Sequence, residues 1–311
     1  ATLSRILAQA GRDVSMWCRQ AEKAELLNRT RQIESPLSIE LPASVAISSD
    51  LQQCLLDRDV IIFCCTSQSL RSVASQVAAA RTSAPGLLTS NLADPCRRPV
   101  LVSAVKGLEL GTLMRMSQVL SETLPDLPAC SLSGPNLAAE ILQSKPTASV
   151  VGCADETVAR FVQASLNLPV LRLYSNHDIV GVELGGALKN VMAIAAGAVD
   201  GLNLGVNARA ALITRGLAEM NRLAVALGAQ RTTLAGLAGM GDLVATCSSP
   251  LSRNYRLGYQ IARGQAPEVV EAGLGAVAEG VSTAYAVVSL SRKLGVEMPI
   301  AVQVEKTLKG E

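Results

Sequence analysis

Aromatic residues are scarce. Two Phe, four Tyr and one Trp make up 2% of the 311 residues. Proteins that hold single-stranded nucleic acid stack its bases on aromatic side chains, and this chain lacks such a platform. Charge of one sign is also missing. The 28 Lys and Arg nearly balance the 26 Asp and Glu, leaving a formal net charge of +2. That is too weak a field to draw in nucleic acid or an acidic membrane surface. Histidine occurs once, at His177 beside Asp178. A His-assisted Ser or Cys nucleophile would depend on that one residue, which argues against nucleophilic catalysis and for a structural role.

The eight cysteines, at 18, 54, 64, 65, 96, 130, 153 and 247, contain no C-x-x-C pair and match no zinc spacing, so no metal site is expected. Cys64 and Cys65 close the apolar run Val60-Ile61-Ile62-Phe63-Cys64-Cys65 and read as reduced thiols buried in a strand. The cysteine pattern fits a reducing cytoplasm. Mean hydropathy is +0.31, yet the most apolar stretches, such as residues 191–199, stop at polar residues like Asp200. None reaches the ~18 uninterrupted apolar residues of a membrane span. No basic-then-apolar leader opens the chain.

What is present is an ample core for about two domains: 49% of the residues are hydrophobic. Leu3, Ile6, Leu7 and Ala10 recur at helical spacing and Gly11 stops them, so the chain is expected to begin in a helix whose preceding strand is absent. Short apolar runs at 14–17, 45–48, 60–65, 99–104, 129–132, 148–151 and 171–174 read as strands. Helical patterns at 51–56, 70–80, 110–124, 137–143 and 157–165 alternate with them, and residues 19–42 read as a short helix and a loop. Such alternation predicts a doubly wound, mostly parallel sheet covered on both faces. After residues 174–176 strand signals cease. Helices are expected at 179–200, 207–227, 251–263, 282–294 and 301–308.

A doubly wound sheet invites a dinucleotide, but the G-x-G-x-x-G fingerprint between a first strand and helix is missing. The near match at Gly273-Leu274-Gly275 lies among helices and reads as chance. Arg19, just past the 14–17 strand, suits the 2′-phosphate of NADP, or is an ordinary surface residue. Lys106, after the 99–104 strand, lies where open sheets bind ligands. Lys189 lies in an apolar helix and leans over Gly185 and Gly186, which have no bulk. A mid-helix Gly costs about 1 kcal/mol relative to Ala, a cost that marks close approach of a ligand or of another backbone. A partly buried Lys can serve as an acid or base, or it can snorkel over a tight helix crossing. Gly239-Met240-Gly241 reads as a flexible turn presenting Asp242. Ser252-Arg253-Asn254 offers hydroxyl, guanidinium and amide donors for a phosphate or carboxylate, or is a solvated helix start.

These segments stand in one order: Val102-Ser103-Ala104-Val105-Lys106-Gly107, Ser133-Gly134-Pro135-Asn136, Val182-Glu183-Leu184-Gly185-Gly186-Ala187-Leu188-Lys189-Asn190, Asn207-Ala208-Arg209, Gly239-Met240-Gly241-Asp242, Leu251-Ser252-Arg253-Asn254 and Glu279-Gly280. Together they resemble the bacterial NAD(P)-dependent glycerol-3-phosphate dehydrogenase family across nearly the whole chain. The resemblance implies a cytoplasmic oxidoreductase that reduces dihydroxyacetone phosphate to sn-glycerol 3-phosphate for glycerophospholipid synthesis, using NADPH or NADH. It implies a Rossmann-like dinucleotide domain over residues 1–175, lacking its first strand, and an all-α substrate domain over 176–311. The implied partner is a small molecule, and the resemblance is compatible with a homodimer.

By family pattern Lys189 exchanges the proton at the substrate oxygen, and Lys106 lies between cofactor and substrate. Gly134, Asn136, Asp242, Ser252, Arg253 and Asn254 line the substrate site with the two lysines. Arg19, Lys106, Ala138, Arg253, Val277 and Glu279 touch the cofactor. Two departures stand out: Asn136 where the family has Ser or Thr, and the missing Gly-rich loop. A rival enzyme is a related two-domain hydroxyacid dehydrogenase; a rival of another class is a non-catalytic nucleotide- or phosphate-binding relative. Without the loop's amides at the pyrophosphate, the chain as it stands is expected to bind NADPH weakly; a titration giving ordinary dehydrogenase affinity would refute this.

Overall fold

The computed structural model describes residues 1–84, 86–88 and 99–311; Cys96 lies outside them. The chain opens with α1 (Thr2–Gln9), which buries Ile6, Leu7 and Ala8 and ends before Gly11 at φ +77°. Then follow β1 (Ser15–Trp17), α2 (Ala21–Thr30), β2 (Gln32–Ile33), β3 (Ile39–Glu40), β4 (Ala46–Ser48) and α3 (Leu51–Leu55), the last capped by Asp50. The remaining sheet elements are β5 (Val60–Phe63), α4 (Leu70–Ser83), β6 (Val100–Ser103), α5 (Met116–Thr123), β7 (Ala129–Ser133), α6 (Ala138–Leu142), β8 (Thr147–Gly152), α7 (Glu156–Leu166) and β9 (Leu171–Asn176).

The strands form a Rossmann-like arrangement in pieces. β5-β6-β7-β8-β9 make one sheet, parallel except at β7–β8, and β1 pairs in parallel with β4 alone. A groove of about 750 Å³ separates the two, lined by residues 14–19 and 60–65. Asp13 and Arg58, just before β1 and β5, form an ion pair of 2.7 Å. The two strands therefore start side by side, each with an unpaired edge.

The second half is helical: α8 (Ile179–Gly201), α9 (Gly205–Ala226), α10 (Arg231–Leu234), α11 (Asp242–Cys247), α12 (Arg253–Ala262), α13 (Pro267–Gly273), α14 (Glu279–Leu294) and α15 (Pro299–Leu308). By length and composition α8 could cross a membrane, but 83% of its apolar window is buried inside the protein. It is the core helix. Its polar neighbours in sequence kept it from standing out as one long apolar run.

Four sequence expectations need correcting. β5 ends at Phe63, so Cys64 is exposed and Cys65 half-buried instead of both lying in a strand. The 110–124 helix starts only at Met116, because Gly111 at φ +85° and Leu113 at φ +61° turn the chain back and Leu108 bridges Arg115. The 19–42 loop holds the small antiparallel β2–β3 ladder. The short helices α10, α11 and α13 were not expected, since one or two turns carry too little periodicity to read.

α8 and α12 meet backbone to backbone. A Cβ on Gly258 would overlap the Ile194 carbonyl, and one on Gly197 the Tyr255 carbonyl. Gly258→Ala is therefore expected to destabilise the fold by about 1–3 kcal/mol, the cost of overpacking. Gly273→Ala, with open space around it, serves as the neutral control; urea denaturation of both variants measures the difference.

Candidate active site

Past the end of β6 the chain runs Ala104-Val105-Lys106. The Lys106 stem crosses α8 at Gly186, where a Cβ would lie 3.5 Å from its Cδ. Its Nζ donates to the Gly134 carbonyl (2.9 Å), Asn136 Oδ1 (2.8 Å) and Asp242 Oδ2 (2.6 Å). Lys189 reaches the same carboxylate from α8, with Nζ 2.9 Å from Asp242 Oδ1 and 2.7 Å from Thr246 Oγ1. The Thr246 hydroxyl in turn donates to the Asp242 carbonyl at 2.6 Å. Asp242 thus bridges two ammonium groups. Its side chain is 2% exposed, against 8% for Lys189 and 14% for Lys106.

Burial pushes the Asp242 carboxyl up, but Lys106 and Lys189 outweigh it and the net shift is downward. Burial is also the largest influence on Lys106. Together with the repulsion of Lys189 it overcomes the pull of Asp242 and brings the amine down to about 8.

Asp242 does not sit on a flexible turn. Leu237–Gly241 form a tight π-helical turn that runs straight into α11. Gly185 makes room for that turn, since a Cβ there would overlap the Ala238 carbonyl. The glycines under Lys189 thus admit protein backbone at Ala238 and, at Gly186, the Ser133 hydroxyl and the Lys106 stem.

The Ser252-Arg253-Asn254 triplet opens α12. Ser252 caps the helix by accepting from Tyr255 N, and buried Asn254 accepts from Gly280 N at 2.9 Å. Arg253 is exposed and donates to the Val277 carbonyl at 2.7 Å. A Cβ on Gly280 would lie 2.8 Å from Asn254 Oδ1 and 2.9 Å from the carbonyl of Asn190, the residue after Lys189. The triplet and the lysine pair therefore share one neighbourhood. Glu279, beside Gly280, accepts from the Ser67 backbone and from its hydroxyl at 2.6 Å. Ser67 also packs against the Gly107 position next to Lys106. Burial raises the Glu279 carboxyl, with Ser67 and Arg253 opposing.

Two sequence-predicted residues stand apart from this cluster. Arg19 is exposed past β1 and lines the groove; Ala138 opens α6, two residues after Asn136. His177 bonds to Gln230 at 2.7 Å in a separate cavity. Sequence reasoning missed Thr246, whose only signal is its place one helical turn after Asp242 on a helix not foreseen. It also missed Glu183. That buried carboxylate accepts from Arg115, from Ser117 N (2.7 Å) and from the Ser117 hydroxyl (2.6 Å), pinning the start of α5 to α8.

Two family models match the chain. One, described as the NAD-dependent glycerol-3-phosphate dehydrogenase N-terminus, covers residues 1–159; the other, the C-terminus of the same enzyme, covers 178–311. The chain belongs to this family. Glycerol-3-phosphate dehydrogenase [NAD(P)+] of Geobacter sulfurreducens is 45% identical over 99% of this chain and 89% of its own length. The Streptomyces coelicolor enzyme of the same name is 44% identical over 95% and 84%. The crystal structure of glycerol-3-phosphate dehydrogenase from Coxiella burnetii superposes with a TM-score of 0.88 at 31% identity, covering 99% of this chain and 91% of that one.

The family's nicotinamide cofactor fits the donors present. Arg19 lies past the C-terminus of β1, Ser67 past that of β5 and Lys106 past that of β6, the ends at which open sheets take ligands. From the helical side Glu279 accepts from Ser67, and Arg253 donates to the nearby Val277 carbonyl. No G-x-G-x-x-G turn joins a strand to a helix among the described residues.

Removing the shared carboxylate leaves two buried ammoniums unpaired. Asp242→Ala is expected to lose about 3–5 kcal/mol, as when one partner of a buried ion pair is deleted, and Asp242→Asn less. The depressed carboxyl contributes stability above its unfolded value, and that contribution disappears as pH falls through the folded one. Urea midpoints from pH 7 down to 3 should thus fall further for the wild type than for Asp242→Asn.

Proposed function

We propose that this chain reduces dihydroxyacetone phosphate to sn-glycerol 3-phosphate with NADPH or NADH, in the cytoplasm, as a step towards glycerophospholipids. The observation that carries the reading is the pair of buried lysines sharing one carboxylate, in the neighbourhood of the Ser252-Arg253-Asn254 triplet. When bound, the reduced nicotinamide supplies a hydride to the substrate's carbonyl carbon.

The rest is the work of this chain's side chains. Lys189 gives its proton to the C2 oxygen as negative charge develops there. Asp242 and Thr246 hold the Lys189 ammonium in a fixed direction. Lys106 adds a second positive charge, steadied by Gly134, Asn136 and Asp242. Arg253 and Asn254 hold the phosphate, and binding at that remote end orients the carbonyl for reaction. Asn136 in place of a hydroxyl residue supplies the acceptor that Lys106 uses. Arg19, Ala138, Val277 and Glu279 hold the cofactor.

Three measurements test this. Oxidation of NADPH should follow dihydroxyacetone phosphate and not dihydroxyacetone or a 2-oxo acid; turnover of the acid would favour the hydroxyacid reading instead. Lys189→Ala should lose about 10²–10⁴ in kcat, the worth of a general acid, while keeping its circular dichroism spectrum; a binding module would have no turnover to lose. Because Lys106 must be charged and titrates near 8, the reduction rate should fall as pH rises through about 8. In Lys106→Arg, whose guanidinium stays protonated, that fall should vanish although the rate is lower throughout.

A further inference from the structure

Lys106 is followed by a turn that returns on itself. Leu108 bridges Arg115, Glu109 N donates to the Met114 carbonyl at 3.0 Å, and Gly111 and Leu113 at positive φ make the reversal. Side chains from the loop after β5 and the first turn of α4 fix this turn further. The Gln68 amide closes on its first arm, donating to the Leu108 carbonyl and accepting from Leu110 N, both at 2.9 Å. Arg71 makes two bonds to the Glu109 carboxylate, at 2.8 and 2.9 Å. Arg115 and Lys106 are therefore parts of one stiff piece of chain.

That piece lies on α8. Leu108 is 1% exposed and packs in one core cluster with Leu184 and Leu188. Glu183, its side chain 4% exposed, accepts from the Arg115 guanidinium, from Ser117 N (2.7 Å) and from the Ser117 hydroxyl (2.6 Å). Residues three apart are neighbours on a helix surface. Three residues after Glu183, Gly186 passes the Lys106 stem. Three further on, Lys189 meets the carboxylate that also holds Lys106. One side of α8 thus carries in succession an anchor for Arg115, a gap for the Lys106 stem and the second lysine.

We propose that Glu183 is a positioning residue for Lys106: by holding Arg115 and Ser117 it seats the turn on α8 and keeps the Lys106 amine on Asp242, beside Lys189. The consequence for the reduction rate rests on the function proposed above; the consequence for Lys106 itself does not. Glu183 works through placement. The charged groups facing Lys106 are Lys189 of α8 and Asp242 at the head of α11, and its other partners, Gly134 and Asn136, are neutral. Without the anchor the turn lifts, and Lys106 gains water and distance from Lys189. Burial is the largest influence lowering its amine to about 8, and the repulsion of Lys189 adds to it. Relieving both moves the amine up, towards the usual lysine value of about 10.4. Plain removal of a negative charge would act the other way, because a nearby anion favours the ammonium form. The direction of the change therefore separates placement from through-space charge.

The test titrates the full chain labelled with carbon-13 at the lysine ε-carbons, the Lys106 signal being the one lost in Lys106→Arg. The variants are Glu183→Gln, Glu183→Gln with Arg115→Met, which leaves no guanidinium unpaired, and Ser117→Ala, which removes one hydroxyl donor. Both Glu183 variants should raise the Lys106 midpoint by about one pH unit or more, a tenfold change in proton affinity, and Ser117→Ala by less. A merely structural role would lower the urea midpoint and leave the titration in place. A Lys106 midpoint that stays put or falls in the folded variants overturns the proposal; Ser117→Ala decides the matter if neither Glu183 variant folds. In turnover, the alkaline fall in rate should move up with the amine. A chain that shows the shift in the titration but never oxidises NADPH with dihydroxyacetone phosphate would sink the proposed function and leave the positioning role standing.

Discussion

Everything at the centre of this protein depends on one buried carboxylate holding two ammonium groups. A carboxylate as enclosed as Asp242 is costly to ionise unless positive charge lies against it. Two lysines are more than enough, so the cluster carries a surplus positive charge. The Lys106 amine shows it: the repulsion of Lys189 adds to burial, and together they prevail over the attraction of Asp242. A cluster with surplus positive charge is complementary to an anion. A phosphorylated ketone brings negative charge in its phosphate and develops more on its carbonyl oxygen during reduction, so on the proposed reading the same imbalance would serve binding and chemistry.

The carboxylate can only stand there because backbone is allowed close. Gly185 lets the π-helical turn lie on α8, and the turn delivers Asp242 to Lys189. The two halves of the molecule are then joined by three carboxylates of the helical half. Asp242 takes Lys106, Glu183 takes Arg115 and Ser117, and Glu279 takes Ser67. Each acceptor is met by a donor from a loop after a strand or from the start of a helix in the sheet half. The sheet's contribution to the site is therefore aligned by polar contacts that demand particular distances, where apolar packing would tolerate sliding.

The elements that could be read from sequence were those with enough residues to show a period. α8, α9 and α14 announce themselves over four or more turns, and the parallel strands appear as short apolar runs. The two glycines before Lys189 signalled a close approach, and Ala238 is the backbone that makes it. Asp242 was legible as a chemical group but not in its setting, because two glycines in three residues look like a loop whether or not neighbouring helices clamp them. Glu183 was invisible for a related reason: its role depends on Arg115 and Ser117, 68 and 66 residues away. Arg253 showed its chemistry plainly, while Ser252 and Asn254, alike in sequence as donors, act here as a helix cap and an interhelix acceptor.

The contact between α8 and α12 has one more consequence. Lys189 is carried by the first helix and Arg253 by the second, and the helices touch through main chain at Gly258 and Gly197. The separation of the two helix backbones that carry Lys189 and Arg253 is thus fixed at that crossing, with no side chain between the main chains to yield. Such a crossing works as a ruler. If Lys189 and Arg253 take the two ends of the substrate as proposed, a molecule one carbon longer or shorter meets one of them out of place, and chain length is gauged by backbone geometry.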